Sequence, residues 1–452
     1  MKLLTKISII LLICSTSLFA QKSEKPNIII INMDDMGYAD LSCYPGSKNS
    51  TPNMDALSAE GTTFTNFYAG SNICSPSRAA LLTGMYPPRA GVPKVYLNTP
   101  KGISFKLTTM AEMLKDNGYE TAIVGKWHLG HYPEFLPTNH GFNYFYGLPF
   151  SHDLKVDGKL PFYERNEVIE YNPDISMLTA RYTMKAVEFI KENKDEPFFL
   201  YLAHNMPHTP LAASAKFKGK SNNGLYGDVI MEIDWSIGEV ISTLKELGLE
   251  ENTLVVISSD NGPSLKQGDG SGNAGNLREG KGTTFEGGHR VPGIFYMPGT
   301  VKAQMSDAFT SQIDIYPTVA EMTGATLPEY KIDGVNILST LTEGAASPRK
   351  EYFYFQGKSI EAMRKGDLKV HKPHKYRTPN PERQVVNSEN GKLKVFTKEI
   401  EASVFDLSKD ESEAKNIKQK KEEFYNKSIK RMKSFNNKLK NNKFEPELKE
   451  TK

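Results

Sequence analysis

Asn27-Ile28-Ile29-Ile30-Ile31, running on through Asn32-Met33 to Asp34-Asp35, is the stretch on which the fold turns. Its consecutive isoleucines leave no polar face, so they predict a short strand buried on both sides, as in a parallel sheet covered by helices. Thr121 to Val124, Phe198 to Ala203 and Leu254 to Ser258 read the same way. Between them, amphipathic stretches near Asn53 to Glu60, Leu107 to Asn117, Leu178 to Glu192 and Gly227 to Leu247 predict helices. That alternation argues for an α/β sandwich built on a large, mostly parallel sheet.

The polar residues next to these runs make the pattern functional. Asp34-Asp35 follow the first strand, Lys126 and His128 the second, His208 the third, and Asp260-Asn261 the fourth. Each group falls at the carboxyl end of its strand, where open α/β sheets bind ligands, so all four are expected to converge on one sheet edge. Aspartates after strands also cap helices and make turns. Two such pairs, offering three carboxylates and an amide, suit a hard divalent cation better than zinc. Lys126 and His128 are two residues apart and so share a side of an extended segment. His208 lies between Pro207 and Pro210, off any helix, and Lys281 sits in the glycine-rich run Gly280 to Pro292, whose backbone could approach an anion closely.

Ile73-Cys74-Ser75-Pro76-Ser77-Arg78 carries the remaining signal. Ser75 is a helix-capping residue type, Pro76 suits a first turn, and Ala79 to Leu82 propagate the helix. Cys74 is therefore expected at the positive end of a helix dipole, a place that welcomes an anion. The plain alternative is a buried structural cysteine.

The chain of 452 residues is 38% hydrophobic, enough for a large core. Lys2 and Lys6, the apolar run Ile7 to Ile13 and the site Leu18-Phe19-Ala20 read as a secretory signal over residues 1–20. The bulky Ile13 before Cys14 argues against lipidation there. Removing this segment lowers the formal charge from +3 to +1, because it takes away two lysines and no acid, and leaves no case for general nucleic-acid binding. No other stretch is long and apolar enough to span a membrane. Cys43 and Cys74 remain, so the mature protein has one disulfide or none. Composition changes near Gly344 to Pro348. Beyond it, Tyr352 to Phe355, Glu361 to Arg364, Leu368 to His371 and Ser403 to Leu407 predict a small antiparallel sheet. Thr378 to Gly391 reads as a loop or hairpin insert, and Glu411 to Asn442 as a lysine-rich helix whose basic face is solvated or, alternatively, an interaction surface. The division expected is residues 21–345 as a catalytic unit and 346–452 as a C-terminal α+β subdomain.

Taken together, Asn32 to Gly37, the Cys74 run, Lys126-Trp127-His128, Pro207-His208, Ser259 to Gly262 and Gly280-Lys281-Gly282 resemble, in order, the motifs of formylglycine-dependent sulfatases of the alkaline phosphatase superfamily. The resemblance implies an alkaline phosphatase-like fold and hydrolysis of sulfate monoesters. It implies that Cys74 is converted to formylglycine (3-oxoalanine) by a formylglycine-generating or sulfatase-maturating enzyme before export, leaving Cys43 without a disulfide partner. Asp34, Asp35, Asp260, Asn261 and residue 74 would then hold one Ca²⁺, with Mg²⁺ second. Arg78, Lys126, His128, His208 and Lys281 would surround the sulfate, with Ser151 a further contact or a turn residue. A sulfate monoester needs a strong nucleophile, neutralised sulfuryl oxygens and a proton for the leaving oxygen. Hydrated formylglycine offers one hydroxyl to attack sulfur and a second whose deprotonation expels sulfate. Asp260 would assist the attack, His128 the elimination, and His208 and Lys281 the leaving oxygen.

Competing readings are a phosphate or phosphonate ester hydrolase of the same superfamily and a non-catalytic glycan-binding protein. The first would want more ligands if it used two metals; the second finds no missing catalytic position. Export points to a sulfated polysaccharide or oligosaccharide as substrate, met in the periplasm or outside the cell. Rim loops are expected near Lys94 to Phe105, His131 to Asn143, Ser151 to Arg165 and His371 to Arg377.

Overall fold

A computed structural model describes residues 25–97, 99–379 and 392–448. The signal segment and nearly all of the predicted insert at Thr378 to Gly391 lie outside the described residues. The large sheet contains, in chain order, β1 (Asn27–Met33), β2 (Thr62–Phe64), β3 (Glu120–Lys126), β4 (Tyr144–Leu148), β5 (Pro161–Glu164), β6 (Glu167–Tyr171), β7 (Phe198–Ala203), β8 (Thr253–Ser259), β9 (Gly293–Tyr296) and β10 (Gln304–Ser306). Across the sheet they lie in the order β10-β2-β9-β8-β1-β7-β3-β4-β5-β6. The central run from β8 to β4 is parallel, with Ile28 beside Leu254 on one flank and Phe199 on the other. Antiparallel strands extend it on both sides.

The isoleucines of β1 feed two cores. Ile28 and Ile30 join Leu81, Leu82, Met110, Leu114, Ile315 and Val319, which come from α2 (Cys74–Thr83), α3 (Met110–Asp116) and α6 (Ile315–Thr323). Ile29 and Ile31 join Met54, Leu57, Tyr182, Ile230 and Ile237, which come from α1 (Pro52–Glu60), α4 (Leu178–Glu192) and α5 (Gly224–Glu246). Period-two alternation in an all-apolar strand thus supplies both faces of the sandwich.

The C-terminal region forms the expected antiparallel sheet from β11 (Glu351–Gln356), β12 (Ser359–Lys365), β13 (Leu368–His371) and β16 (Ser403–Asp406). A separate ribbon pairs β14 (His374–Pro379) with β15 (Val395–Ile400). The basic helix, α7, spans Glu422–Lys440 and packs Met432, Phe435 and Leu439 on the sheet. It starts later than the expected Glu411 because Asp410 accepts from Ala414 N (3.1 Å) and Lys415 N (2.8 Å), closing a turn, and Ile417 N bonds Val404 O at 2.8 Å.

Candidate active site

The four strand-end groups meet as expected, because β8, β1, β7 and β3 are neighbours that end together. Asp34, Asp260, Asn261, Arg78 and Lys126 are fully buried there. Asp34 is ion-paired with the Lys126 ammonium. Arg78 donates through Nε to Asp260 Oδ2 at 3.0 Å and through Nη1 to Lys126 O at 3.1 Å, tying the ends of β8 and β3 together. Asn261 Nδ2 and Lys281 Nζ both donate to Asp35 Oδ1, at 2.7 and 2.5 Å. His208 Nε2 lies 3.7 Å from Asp35 Oδ2. Asp34, Asp35 and His208 can all bring a ligand atom within 4.8 Å of one another.

Two side chains reach the cluster through unusual backbone. Asp35 (φ 68°) and His128 (φ 64°) both occupy the left-handed region that non-glycine residues rarely adopt. For His128 this corrects the expectation of an extended Lys126-His128 segment. The chain turns sharply after β3, and the turn itself aims the imidazole at the cations.

Cys74 opens α2, with Arg78 one turn later on the same face. The N-cap is the extended Ile73, not Ser75, and no side chain caps the helix. Ser75 Oγ is buried without a hydrogen-bond partner, having been drawn into the first turn instead of preceding it. Gln312 fastens this end. Its carbonyl accepts from Ser77 Oγ at 3.0 Å and its amide donates to Ser259 O at 2.8 Å, joining α2 to the end of β8. Burial pushes the Cys74 thiol up, and the nearby Lys126 and Lys281 charges only partly offset that.

Lys281 is delivered by its glycine-rich loop. Lys281 N bonds Pro263 O and Gly282 N bonds Asn72 O, both at 2.9 Å, so the loop is pinned between β8 and the approach to Cys74. Gly262 makes the approach feasible: a Cβ there would sit 1.8 Å from Gly287 O.

The electrostatics and donor set point to a ligand. Burial opposes the Asp34 carboxylate, yet Lys126, His208, Arg78 and Lys281 together hold it well below the usual range. Asp260 is pushed up to about 7 by burial and then by the charge of Asp34, despite Arg78. His128 is held neutral by burial and then by Lys126. Asp34 Oδ1, Asn261 Oδ1, both His128 ring nitrogens and Ser151 Oγ are buried with no hydrogen-bond partner. Native interiors rarely leave so many such atoms in one place. Free carboxylate and amide oxygens beside crowded carboxylates fit a hard divalent cation, and free donors beside three permanent cations fit a bound oxyanion.

All eleven residues singled out from sequence thus lie at or beside this edge, Ser151 just past β4. The rim differs from expectation. A cavity of about 420 Å³ opens over His208 and Lys281, lined by Asp153, Ser264, Lys266, Gly270 and Lys392 among others. Of the expected rim loops only Ser151 to Arg165 supplies a lining residue, Asp153. His371 is buried against Phe285, with ring centroids 4.9 Å apart, and Lys94 lines a different cavity. Gln312, Tyr201 (3.4 Å from Arg78), His152 and Lys266 went unnoticed in the sequence. Only His152, beside Ser151, had a neighbouring motif to flag it.

A metal-type acidic cluster and a helix-borne cysteine, set among cations at the carboxyl edge of a doubly covered sheet, define an alkaline phosphatase-like α/β hydrolase. The sulfatase family matches residues 26–325, and the C-terminal region of aryl-sulfatase matches residues 347–450. Human arylsulfatase A is 36% identical over 431 residues, covering 87% of this chain and 84% of its own length. Human N-acetylgalactosamine-6-sulfatase is 40% identical over 377 residues, covering 77% and 72%. Among solved structures, the PsFucS1 sulfatase from Pseudoalteromonas sp. matches with a TM-score of 0.83 and 30% identity, over 93% of this chain and 92% of that one. The chain belongs to the sulfatase family, and it is a sulfuric ester hydrolase.

Proposed function

We propose that this sulfatase releases sulfate from a sulfated polysaccharide or its oligosaccharides, with residue 74 acting as formylglycine beside one Ca²⁺ ion. The observation that carries the reading is the setting of Cys74: a buried thiol biased toward its neutral form, which is a poor nucleophile, placed at a helix N-terminus beside Lys126 and Lys281. Conversion would supply a hydrated aldehyde with one hydroxyl to attack sulfur and another to expel sulfate. Asp34, Asp35, Asp260 and Asn261 would hold the cation together with residue 74, and the orphaned Asp34 Oδ1 and Asn261 Oδ1 support that assignment over a purely structural one. Bound there, the cation would neutralise charge on the sulfuryl oxygens.

Arg78, Lys126, Lys281, His128, His208 and Ser151 bind and orient the anion. Asp260 takes the proton of the attacking hydroxyl and His128 that of the second. His208 and Lys281, which face the open cavity, serve the leaving oxygen. The name of the N-acetylgalactosamine-6-sulfatase relative supports an amino-sugar or related glycan as substrate. The residue 1–20 segment supports export to the periplasm or beyond, with maturation of Cys74 by a formylglycine-generating or sulfatase-maturating enzyme beforehand. Residues 21–345 form the catalytic unit and 346–452 the subdomain in this reading.

Mass spectrometry of the Cys74 peptide from the native host, paired with desulfation assays on defined sulfated oligosaccharides, tests the proposal. The peptide should carry the aldehyde, and Cys74→Ala should lose about 10⁴-fold or more in turnover. Full activity with an intact thiol would end the formylglycine reading. Turnover of simple aryl sulfates with none on any sulfated sugar would end the glycan reading.

A further inference from the structure

The lysine-rich helix is not used by the chemistry at the sheet edge, yet it borders a strongly basic groove. Two adjoining cavities, of about 650 and 350 Å³, share Lys358 and Asn436 as a common wall. Lys94, Lys101, Lys440 and Lys443 complete the basic lining of the larger one. Lys372 and Lys433 add to the smaller. Against these seven lysines stands one lining carboxylate, Glu445, which is already ion-paired with Lys443.

The lysines come from four separate segments: the chain after α2, the turn between β11 and β12, the link from β13 to β14, and α7 with its continuation. The apolar side of α7 is committed to the sheet through Met432, Phe435 and Leu439, so its basic side is left facing the groove and solvent. Collecting like charges in a concavity is unfavourable by itself and favourable only when a polyanion neutralises them. The groove also presents apolar surface from Pro88, Phe444 and Pro446, while Tyr96, Ile360 and Met432 beneath it are almost wholly buried. That combination of point cations with flat apolar patches suits sugar rings carrying sulfate or carboxylate groups. No arginine lines it, so it offers anions point charges and no planar fork. Its concave shape is a poor fit to a lipid surface.

The groove shares no lining residue with the cavity over His208 and Lys281, although its Gly357-Lys358 wall follows Gln356, whose Oε1 accepts from Asn72 Nδ2 at 2.7 Å near Cys74. Cys74 begins α2, the helix runs about 15 Å to Thr83, and the lining starts beyond that end, at Pro88 and Gly91. We propose that this groove is a second glycan site, which holds a stretch of the sulfated polysaccharide away from the ester being cleaved. The inference takes its ligand class from the function proposed above, but binding can be read without turnover. Tethering a long chain at a second point raises the local concentration of its sulfate esters at the active site, and gives short substrates nothing.

Calorimetric titration of the full-length protein with long chondroitin sulfate chains tests it, with oligo-dT and phosphatidylglycerol vesicles as rival polyanions at the same salt. Lys358→Glu combined with Lys433→Glu, both exposed, should weaken chondroitin sulfate binding at least about five-fold. The control, Lys420→Glu with Lys430→Glu, makes the same charge change on the same basic surface outside the lining and should stay within about two-fold. Turnover of a small aryl sulfate should be the same in both. Binding that survives in Cys74→Ala supports the groove whatever becomes of the formylglycine reading. Equal losses in the two double variants, no loss in either, or tighter binding of oligo-dT or vesicles would overturn the proposal.

Discussion

Two of the charge clusters buried among the described residues are finished to different degrees. In the C-terminal one, Glu286 accepts from Lys369 (3.0 Å), Tyr354 (2.7 Å) and Tyr68 (2.5 Å). Glu413 accepts from Lys369 (2.9 Å), His371 (2.8 Å) and Glu286 N (2.7 Å). Every carboxylate oxygen there has a partner from the protein. At the sheet edge, Asp34 Oδ1 and Asn261 Oδ1 have none, and neither does either nitrogen of His128. Both sites pay for desolvation, but only the first satisfies all of its carboxylate oxygens internally; its orphans are imidazole nitrogens, His371 Nδ1 and His289 Nε2. A closed cluster is a fastener, while an open one is shaped for something outside the chain.

The sharpest way to break this contrast is to deny the open cluster its cation. Chelation to below stoichiometric metal, checked by elemental analysis, should lower aryl sulfate turnover at least about 10²-fold. Ca²⁺ should restore it, and Asp34→Asn should blunt the restoration. The near-ultraviolet spectrum of the tyrosine-rich closed cluster should be unchanged throughout. Undiminished turnover in verified metal-free protein would mean that the orphaned oxygens serve the sulfate donors or water alone.

The open cluster was far more legible in the sequence than the closed one. Asp34-Asp35 and Asp260-Asn261 stand directly after apolar runs, and parallel strands must end at a common edge, so local reading was enough to bring them together. β1, β3, β7 and β8 were read within two residues at either end because each is apolar on both faces. β2, β4, β5, β6, β9 and β10 carry no such signal: Tyr144–Leu148 contains Gly147, Thr62–Phe64, Gly293–Tyr296 and Gln304–Ser306 are only three or four residues long, and Glu167–Tyr171 is a half-exposed edge strand whose glutamates, at 167 and 170, break any apolar alternation. Glu286, Lys369 and Glu413 are brought together from three distant segments, with no spacing to advertise it. Gln312 is likewise a lone glutamine whose partners all come from elsewhere in the chain. Local chemistry shows in sequence, whereas pairing across long separations does not.

A smaller effect is expected from opening the closed cluster. Lys369→Met removes the one ammonium that touches both Glu286 and Glu413, leaving two buried carboxylates facing each other. Such a loss costs about 3–5 kcal/mol, to be read from denaturant unfolding. Glu286 begins the short turn Glu286–His289 that anchors the Lys281 loop. The metal-binding oxygens belong to other segments, so Ca²⁺ affinity should persist in the folded fraction. If stability is unchanged, the cluster is not the fastener inferred here; if Ca²⁺ affinity falls with it, the two clusters are not separable.

The smallest expected effect concerns protons. His289 lies in the wall of the closed cluster, its Nδ1 3.0 Å from the Tyr352 hydroxyl, and is pushed down to about 3 by burial and then by Lys369. Its unfolded counterpart titrates near 6.5. Between these values the unfolded chain binds a proton that the folded one refuses, so the histidine's contribution is intact above pH 6.5 and is lost progressively as pH falls toward 3. Because Glu413 is pushed up to about 7 and acts in the opposite sense over part of that window, the wild-type curve alone does not isolate the effect. The difference in unfolding free energy between wild type and His289→Gln does, provided the carboxylates keep their pairing. It should shift against the wild type by roughly 1 kcal/mol per pH unit below pH 6.5. A difference independent of pH would mean that His289 is protonated in the folded protein, and that the cluster closes with a charge more than its hydrogen bonds suggest.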